Sequence, residues 1–154
     1  MSSETAERWY TIKETAALTG LPASTLRYYE SVGVIAPVSR GATSKHRAYN
    51  EDDLDEIMWV ACLAATGLSV KQMQQYVANG QRGAEAAGEQ AELLESQRER
   101  LKEEAQLLAV RQKYVDLKIA YWQAVQAGDN HLSELLGTES RALADELTRG
   151  RRPR

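Results

Sequence analysis

Apolar positions repeat along this chain with two helical rhythms, and polar or glycine-bearing breaks separate them. The first rhythm is short. Thr11 followed three residues later by Glu14 has the spacing of a capping box, and Gly20 marks a stop, so a short helix is predicted between them. A tight turn and a second short helix follow, carrying Thr25-Leu26-Arg27-Tyr28-Tyr29-Glu30 near its start. Helical angles put Leu26 and Tyr29 toward a core and leave Arg27 and Tyr28 on another face. Asn50 then serves as the cap of a third helix whose Leu54, Ile57, Ala61 and Ala64 recur at helical spacing up to Gly67. Ser69 and Gln72 give a second capping box, opening a fourth helix through Val70, Met73, Tyr76 and Val77 before Gly80.

The second rhythm is long. From Glu89 to Gln126 no proline or glycine interrupts, and Leu94, Leu101, Leu108, Val115 and Trp122 fall at intervals of seven, the seam of a coiled coil. Its companion positions are Ala91, Arg98, Ala105, Gln112 and Ile119. Small residues there allow close helix approach, whereas Arg98 and Gln112 would face their own copies in a parallel pair, so an antiparallel homodimer is the expectation. Between the rhythms, the glycine-rich stretch 79–88 reads as a flexible joint. The predicted organisation is a compact helical domain over 8–78, that joint, a dimerisation helix over 89–127, and a C-terminal tail with a short helix over 128–154. In the tail, Leu132, Leu135, Leu136, Leu143 and Leu147 recur at near-helical spacing and suit folding back, and the basic end Arg149–Arg154 reads as solvated.

The chemistry concentrates in two clusters. Arg27 and Tyr28, with Thr25 beside them, lie near a helix start, and Lys45-His46-Arg47-Ala48-Tyr49 forms a second, loop-borne group after Arg40. A guanidinium pairs with base edges or phosphates, while a phenol packs on sugars and bonds phosphate, so these types suit duplex DNA. The chain has 154 residues and a formal net charge of −3, which alone does not favour nucleic acid. The local balance matters more: from Arg8 to Tyr49 the cations Arg8, Lys13, Arg27, Arg40, Lys45 and Arg47 face only Glu14 and Glu30.

The order of helix, turn, Thr25–Glu30, Gly33, Pro37, Arg40 and Arg47-Ala48-Tyr49, continued by Thr66-Gly67-Leu68-Ser69 and the long helix, resembles the MerR family of transcription regulators. The likeness runs from Tyr10 to Val77. It implies a mainly α fold, in which a winged helix-turn-helix domain with a small β wing precedes a long helix that forms an antiparallel coiled coil. It also implies homodimeric binding to a pseudo-palindromic promoter by DNA distortion, with RNA polymerase as a further partner and a small effector sensed near the junction. Activation and repression stay equally open. Pro22 stands where the family usually has a hydroxyl cap, and Ser24 where a longer polar residue is common, so the operator sequence does not carry over.

Two effector readings stand side by side. Cys62, the single cysteine, sits in Val60-Ala61-Cys62-Leu63-Ala64-Ala65-Thr66-Gly67, which is similar to family members with one third-helix cysteine that answers aldehydes, nitrosative stress or other thiol-reactive species. Against it stands simple packing of a small apolar side chain, and the helical neighbours Met58, Trp59, Ala65 and Thr66 supply no cation to stabilise a thiolate. The alternative is an aromatic-lined pocket from Tyr114, Tyr121, Trp122, Trp59 and Trp9, taking an aromatic or cationic small molecule. One cysteine excludes an intrachain disulfide, and no metal site or cofactor is expected. No glycine-rich phosphate loop, nucleophile elbow or closely spaced metal ligands occur, so the chain does not read as an enzyme. A coiled-coil adaptor with incidental DNA affinity is the reading from another class. With no apolar run near membrane-spanning length and no signal-peptide core, the expected location is the cytoplasm.

Overall fold

The computed structural model describes residues 6–41 and 43–149; the start at 1–5 and the end of the basic run at 150–154 lie outside the described residues. The order is α1 (Ile12–Thr19), α2 (Ala23–Ser31), β1 (Ser39–Arg40), β2 (Arg47–Ala48), α3 (Glu51–Ala65), α4 (Val70–Gln81), a 3-10 turn (Gly83–Ala86), α5 (Ala87–Gln126), α6 (Asn130–Ala142) and α7 (Ala144–Arg149). The chain divides into two compact units, Met1–Gln97 and Arg98–Arg154.

Local chemistry sets most helix starts in the first unit. Thr11 and Glu14 complete a reciprocal capping box at α1, as Asn50 and Asp53 do at α3 and Ser69 and Gln72 at α4. Gly20 closes α1 in the left-handed conformation (φ +77°), which a side chain would resist, and thereby turns the chain into α2. Helix α2 has no side-chain cap, because Pro22 occupies that position and offers no oxygen. The strands pair antiparallel, Ser39 with Ala48 and Arg40 with Arg47, and Tyr10 and Tyr49 add an isolated bridge beside them.

The core gathers Tyr10, Leu26, Tyr29, Val34, Ile35, Val38, Tyr49, Leu54, Ile57, Val60, Leu68 and Met73. Helices α1, α2, α3 and α4 and the wing each contribute, so the recognition helix and the wing rest on one apolar mass. The early turns of α5 join it: Leu93 packs on the core, Gln90 Nε2 donates to the Tyr76 carbonyl (2.8 Å), and Gln97 Nε2 donates to the Thr66 carbonyl (2.6 Å). The stretch expected as a joint holds the end of α4, which passes Gly80 to Gln81, then the 3-10 turn, then α5 from Ala87. Ala86 is buried, and an Arg82–Glu89 ion pair of 2.8 Å brackets the turn, raising the arginine's pKa and lowering the glutamate's.

In the second unit, Asp129 caps α6 through its side chain, which accepts from the Leu132 amide. Helix α6 returns against α5, with Gly137 facing the Tyr121 ring, and Ala144, Leu147 and Thr148 share a cavity with Arg111 and Tyr114. This arrangement buries one face of α5 and leaves the heptad face open. Leu94, Leu101, Leu108, Val115 and Trp122 are each 40–64% exposed. Among the described residues no helix is long and apolar enough to cross a membrane.

Leu26, 1% exposed at the base of α2, is the side chain on which the recognition helix seats. Leu26→Ala is expected to lower folding stability by about 2–5 kcal/mol through lost burial and a cavity, as measured by urea denaturation. A loss below about 1 kcal/mol would contradict the packing described.

Candidate nucleic-acid interface

Helix α2 divides its side chains by angle. Leu26 and Tyr29 enter the core, while Arg27 and Tyr28 lie exposed, the phenol of Tyr28 being 51% accessible and its ring centroid 6.3 Å from that of Tyr29. Thr25 is half-buried at the first turn. This is the face of the helix-turn-helix unit that a major groove can admit.

The wing lies beside it. Its turn is tight: Lys45 sits at φ +56°, its amide donates to the Gly41 carbonyl (2.9 Å), and the Gly41 amide donates to the His46 carbonyl (2.9 Å). Lys45, His46 and Arg40 are exposed. Arg27, Arg40, His46 and Arg47 line one cavity of about 310 Å³ together with Thr11, Ile12 and Lys13 from the start of α1. The two basic clusters, distant in sequence, therefore converge with a third element that sequence reasoning left off the site: Lys13. The signal for it was available, since it follows a helix cap and adds to the local cation count.

Two expected contacts have different placements. Tyr49 is 1% exposed and belongs to the core, where burial raises its phenol's pKa and its backbone exchanges hydrogen bonds with Tyr10 (2.8 and 3.0 Å). Its phenol is thus removed from the DNA-facing surface. Tyr10 in turn donates its hydroxyl to Glu51 Oε1 (2.8 Å), which raises its pKa. Arg47 is half-buried and donates Nε–H to Glu30 Oε1 at 2.7 Å, while the other oxygen of Glu30 accepts from the Val38 amide (3.4 Å). One carboxylate at the end of α2 thereby holds both the approach to β1 and the side chain of β2. Arg47 acts in this arrangement as a fastener of the wing as well as a cation lining the cavity.

The expected sensor residues lie on other elements. Cys62 is exposed on α3. Trp59 packs on Tyr76 with ring centroids 5.8 Å apart and is followed by a groove along Glu56, Val77, Gly80, Gln81 and Gln90. Tyr114 and Trp122 border an open groove of about 560 Å³ with Lys118 and Ile119, and Tyr121 meets Trp122 edge-on at 5.1 Å. Trp9 is exposed near the chain start. Among the described residues no group of three or more His, Cys, Asp or Glu is placed to hold a metal ion.

A short two-stranded wing behind a helix-turn-helix pair, with cations converging from both, defines the first unit as a winged helix-turn-helix domain. Residues 10–80, a little under half of the chain, match the model of the MerR HTH family of regulatory proteins, so the first unit is similar to the DNA-binding domain of that family. Over 90 residues it is 37% identical to the HTH-type transcriptional regulator AdhR of Bacillus subtilis, covering 58% of this chain and 64% of that one. The chain thus spans less than two thirds of that relative's length. Among solved structures, it resembles a protein of Listeria monocytogenes described as a MerR family transcriptional regulator (28% identity, TM-score 0.66, covering 84% of this chain and 98% of that one). It also resembles HiNmlR, a MerR family regulator lacking the sensor domain and bound to promoter DNA (27% identity, TM-score 0.63, covering 78% and 94%). The relatives named are described as regulators of transcription.

If Glu30 fastens the wing, Glu30→Gln and Arg47→Ala should be coupled. A double-mutant cycle on unfolding free energy is expected to return an interaction of about 1–2 kcal/mol. Strict additivity would detach the carboxylate from the wing.

Proposed function

We propose that this chain is a DNA-binding transcriptional regulator that acts as a homodimer on a pseudo-palindromic promoter site. The observation that carries the reading is the convergence of Arg27, Arg40, His46, Arg47 and Lys13 on one cavity beside the exposed Arg27–Tyr28 face of α2. Arg27 and Tyr28, with Thr25, meet the groove, and the wing cations Arg40, Lys45 and His46 meet the backbone. The promoter-bound HiNmlR supports duplex DNA as the partner. Two copies joined through the open seam of α5 would present two recognition helices about a two-fold axis, so that a pair of modest half-sites adds up to tight binding. An antiparallel pairing keeps Arg98 and Gln112 from facing their own copies. A rigid dimer of this kind can act by distorting its site, with RNA polymerase reading the distorted promoter. Its place of action is the cytoplasm.

For the effector, exposure of Cys62 favours a thiol-reactive signal, because access is one of the two requirements for reactivity. The aromatic-pocket alternative is less well supported. Lys118 lies 5.5 Å from the centroids of both Tyr114 and Tyr121, so a resident cation already uses those faces. Trp59, for its part, is paired with Tyr76.

Three outcomes test the proposal. The purified protein should bind the DNA upstream of its own gene selectively over a scrambled duplex, with affinity falling steeply as salt rises, and Arg27→Ala should lower the salt slope by about one if it neutralises a phosphate, or relax sequence preference if it reads a base. Equal, weak binding to both duplexes would favour the adaptor reading. Leu108→Glu should turn a dimer into a monomer in sedimentation experiments, whereas a monomeric wild type would remove the dimer from the account. Cys62→Ser should bind DNA as the wild type does and lose any transcriptional response to electrophiles; a retained response excludes the thiol.

A further inference from the structure

The cavity at the wing has a feature that a list of cations does not convey. Its wall is mostly apolar although most of its lining residues are basic, and these come from four elements: Lys13 with Ile12 from α1, Arg27 from α2, Arg40 from β1, and Arg47 of β2 with His46 just before it. The start of α1 supplies a further positive element. Its cap spends the Glu14 amide on the Thr11 hydroxyl, and helix geometry leaves the amides at the first positions, Ile12 and Lys13, without intrahelical acceptors. Acids near this wall are already engaged: Glu14 accepts from the Thr11 amide, and Glu30 accepts from Arg47 and Val38. A mostly apolar wall built from basic side chains suits one repeating unit of a nucleic acid, the sugar packing on carbon and the phosphate meeting the charges and helix amides.

Resting on the reading of the chain as a duplex-DNA binder, we propose that this cavity seats a single deoxyribose-phosphate of the DNA backbone, and that His46 binds that phosphate as an imidazolium, so that docking takes up a proton. Lys13, Arg27, Arg40 and Arg47 keep their charge across the neutral range, and so does neighbouring Lys45. Histidine is the group whose ordinary titration falls within it. His46 is exposed on the wing turn, its amide donates to the Ser44 hydroxyl (3.3 Å), and the residue lines the cavity. The affinity of this regulator for DNA would then rise as pH falls through neutrality, with a contact that carries no sequence information. The second histidine of the chain, His131, lies on α6 in the other unit and serves as the control.

The test is fluorescence anisotropy of the full-length protein on its upstream duplex and on a scrambled one, at pH 6 and pH 8 and constant ionic strength. Wild type and His131→Gln are expected to bind about two- to sixfold more weakly per half-site at pH 8, the range that follows from phosphate raising one imidazole by about half to one pH unit. His46→Gln should bind with the same affinity at both pH values. Lys13→Ala should weaken binding to both duplexes by a similar factor, lower the salt slope by about one, and keep the pH dependence. All three replaced side chains are exposed, so folding is not at stake. DNA binding that is independent of pH in the wild type, or pH dependence that survives in His46→Gln, overturns the proton-linked seat while leaving the regulator reading intact. Failure to prefer the upstream duplex at either pH overturns that reading as well.

Discussion

The carboxylate of Glu30 is the constraint on which the placement of the wing against α2 depends. It ends the recognition helix and accepts at once from Arg47 on β2 and from the backbone just before β1, with both charged side chains mostly shielded from water. In that setting removing one partner strands the other as a partly buried charge, which costs more than the pair itself contributes. The wing strands are only two residues each and could not hold a position alone. Their angle to α2 comes from this one acid together with the Tyr10–Tyr49 bridge and the core beneath. With that angle set, the cations of two distant sequence clusters and the start of α1 line a common cavity.

Helix α5 carries a different division of labour along its length. Its early turns are pinned by Gln90 and Gln97 to carbonyls at Tyr76 and Thr66, and by Leu93 to the core. Gln97 is 4% exposed and makes its one bond at the end of α3, while its own carbonyl oxygen lacks a protein partner. Further along, the face opposite the heptad seam is covered by α6 and α7, and the seam itself stays open. Helix α5 thus runs 40 residues without a break, with one covered and one open apolar face, the surface that the proposed dimer would use.

Sequence reading served best where physics is local. Capping boxes depend on residues three apart, so the starts of α1 and α4 and the Asn50 cap of α3 were all legible from side-chain type alone. The opposite fates of Tyr28 and Tyr29 followed from the hundred-degree step of a helix. It served less well where a partner lies far away in sequence. Tyr49 looks like a wing contact beside Arg47, and only the bridge to Tyr10 draws it inward. Arg47 itself reads as a free cation until Glu30, 17 residues earlier, is found against it. Glycines at 80, 83 and 88 suggested a joint, yet the turn needs a positive φ at Gly83 while Gly80 and Gly88 sit within helices. Lys13 was visible as a charge but not as a neighbour of the wing, since that proximity arises from the core that joins α1 to β2.

In the proposed mode of action, two copies of one cationic face read a two-fold-related DNA site. Hydroxyl-radical footprinting of the DNA upstream of the gene tests it most directly. The account predicts two protected backbone segments related by a dyad and lying on one side of the duplex, both lost in Arg27→Ala. A single protected segment, or uniform protection without symmetry, would contradict it.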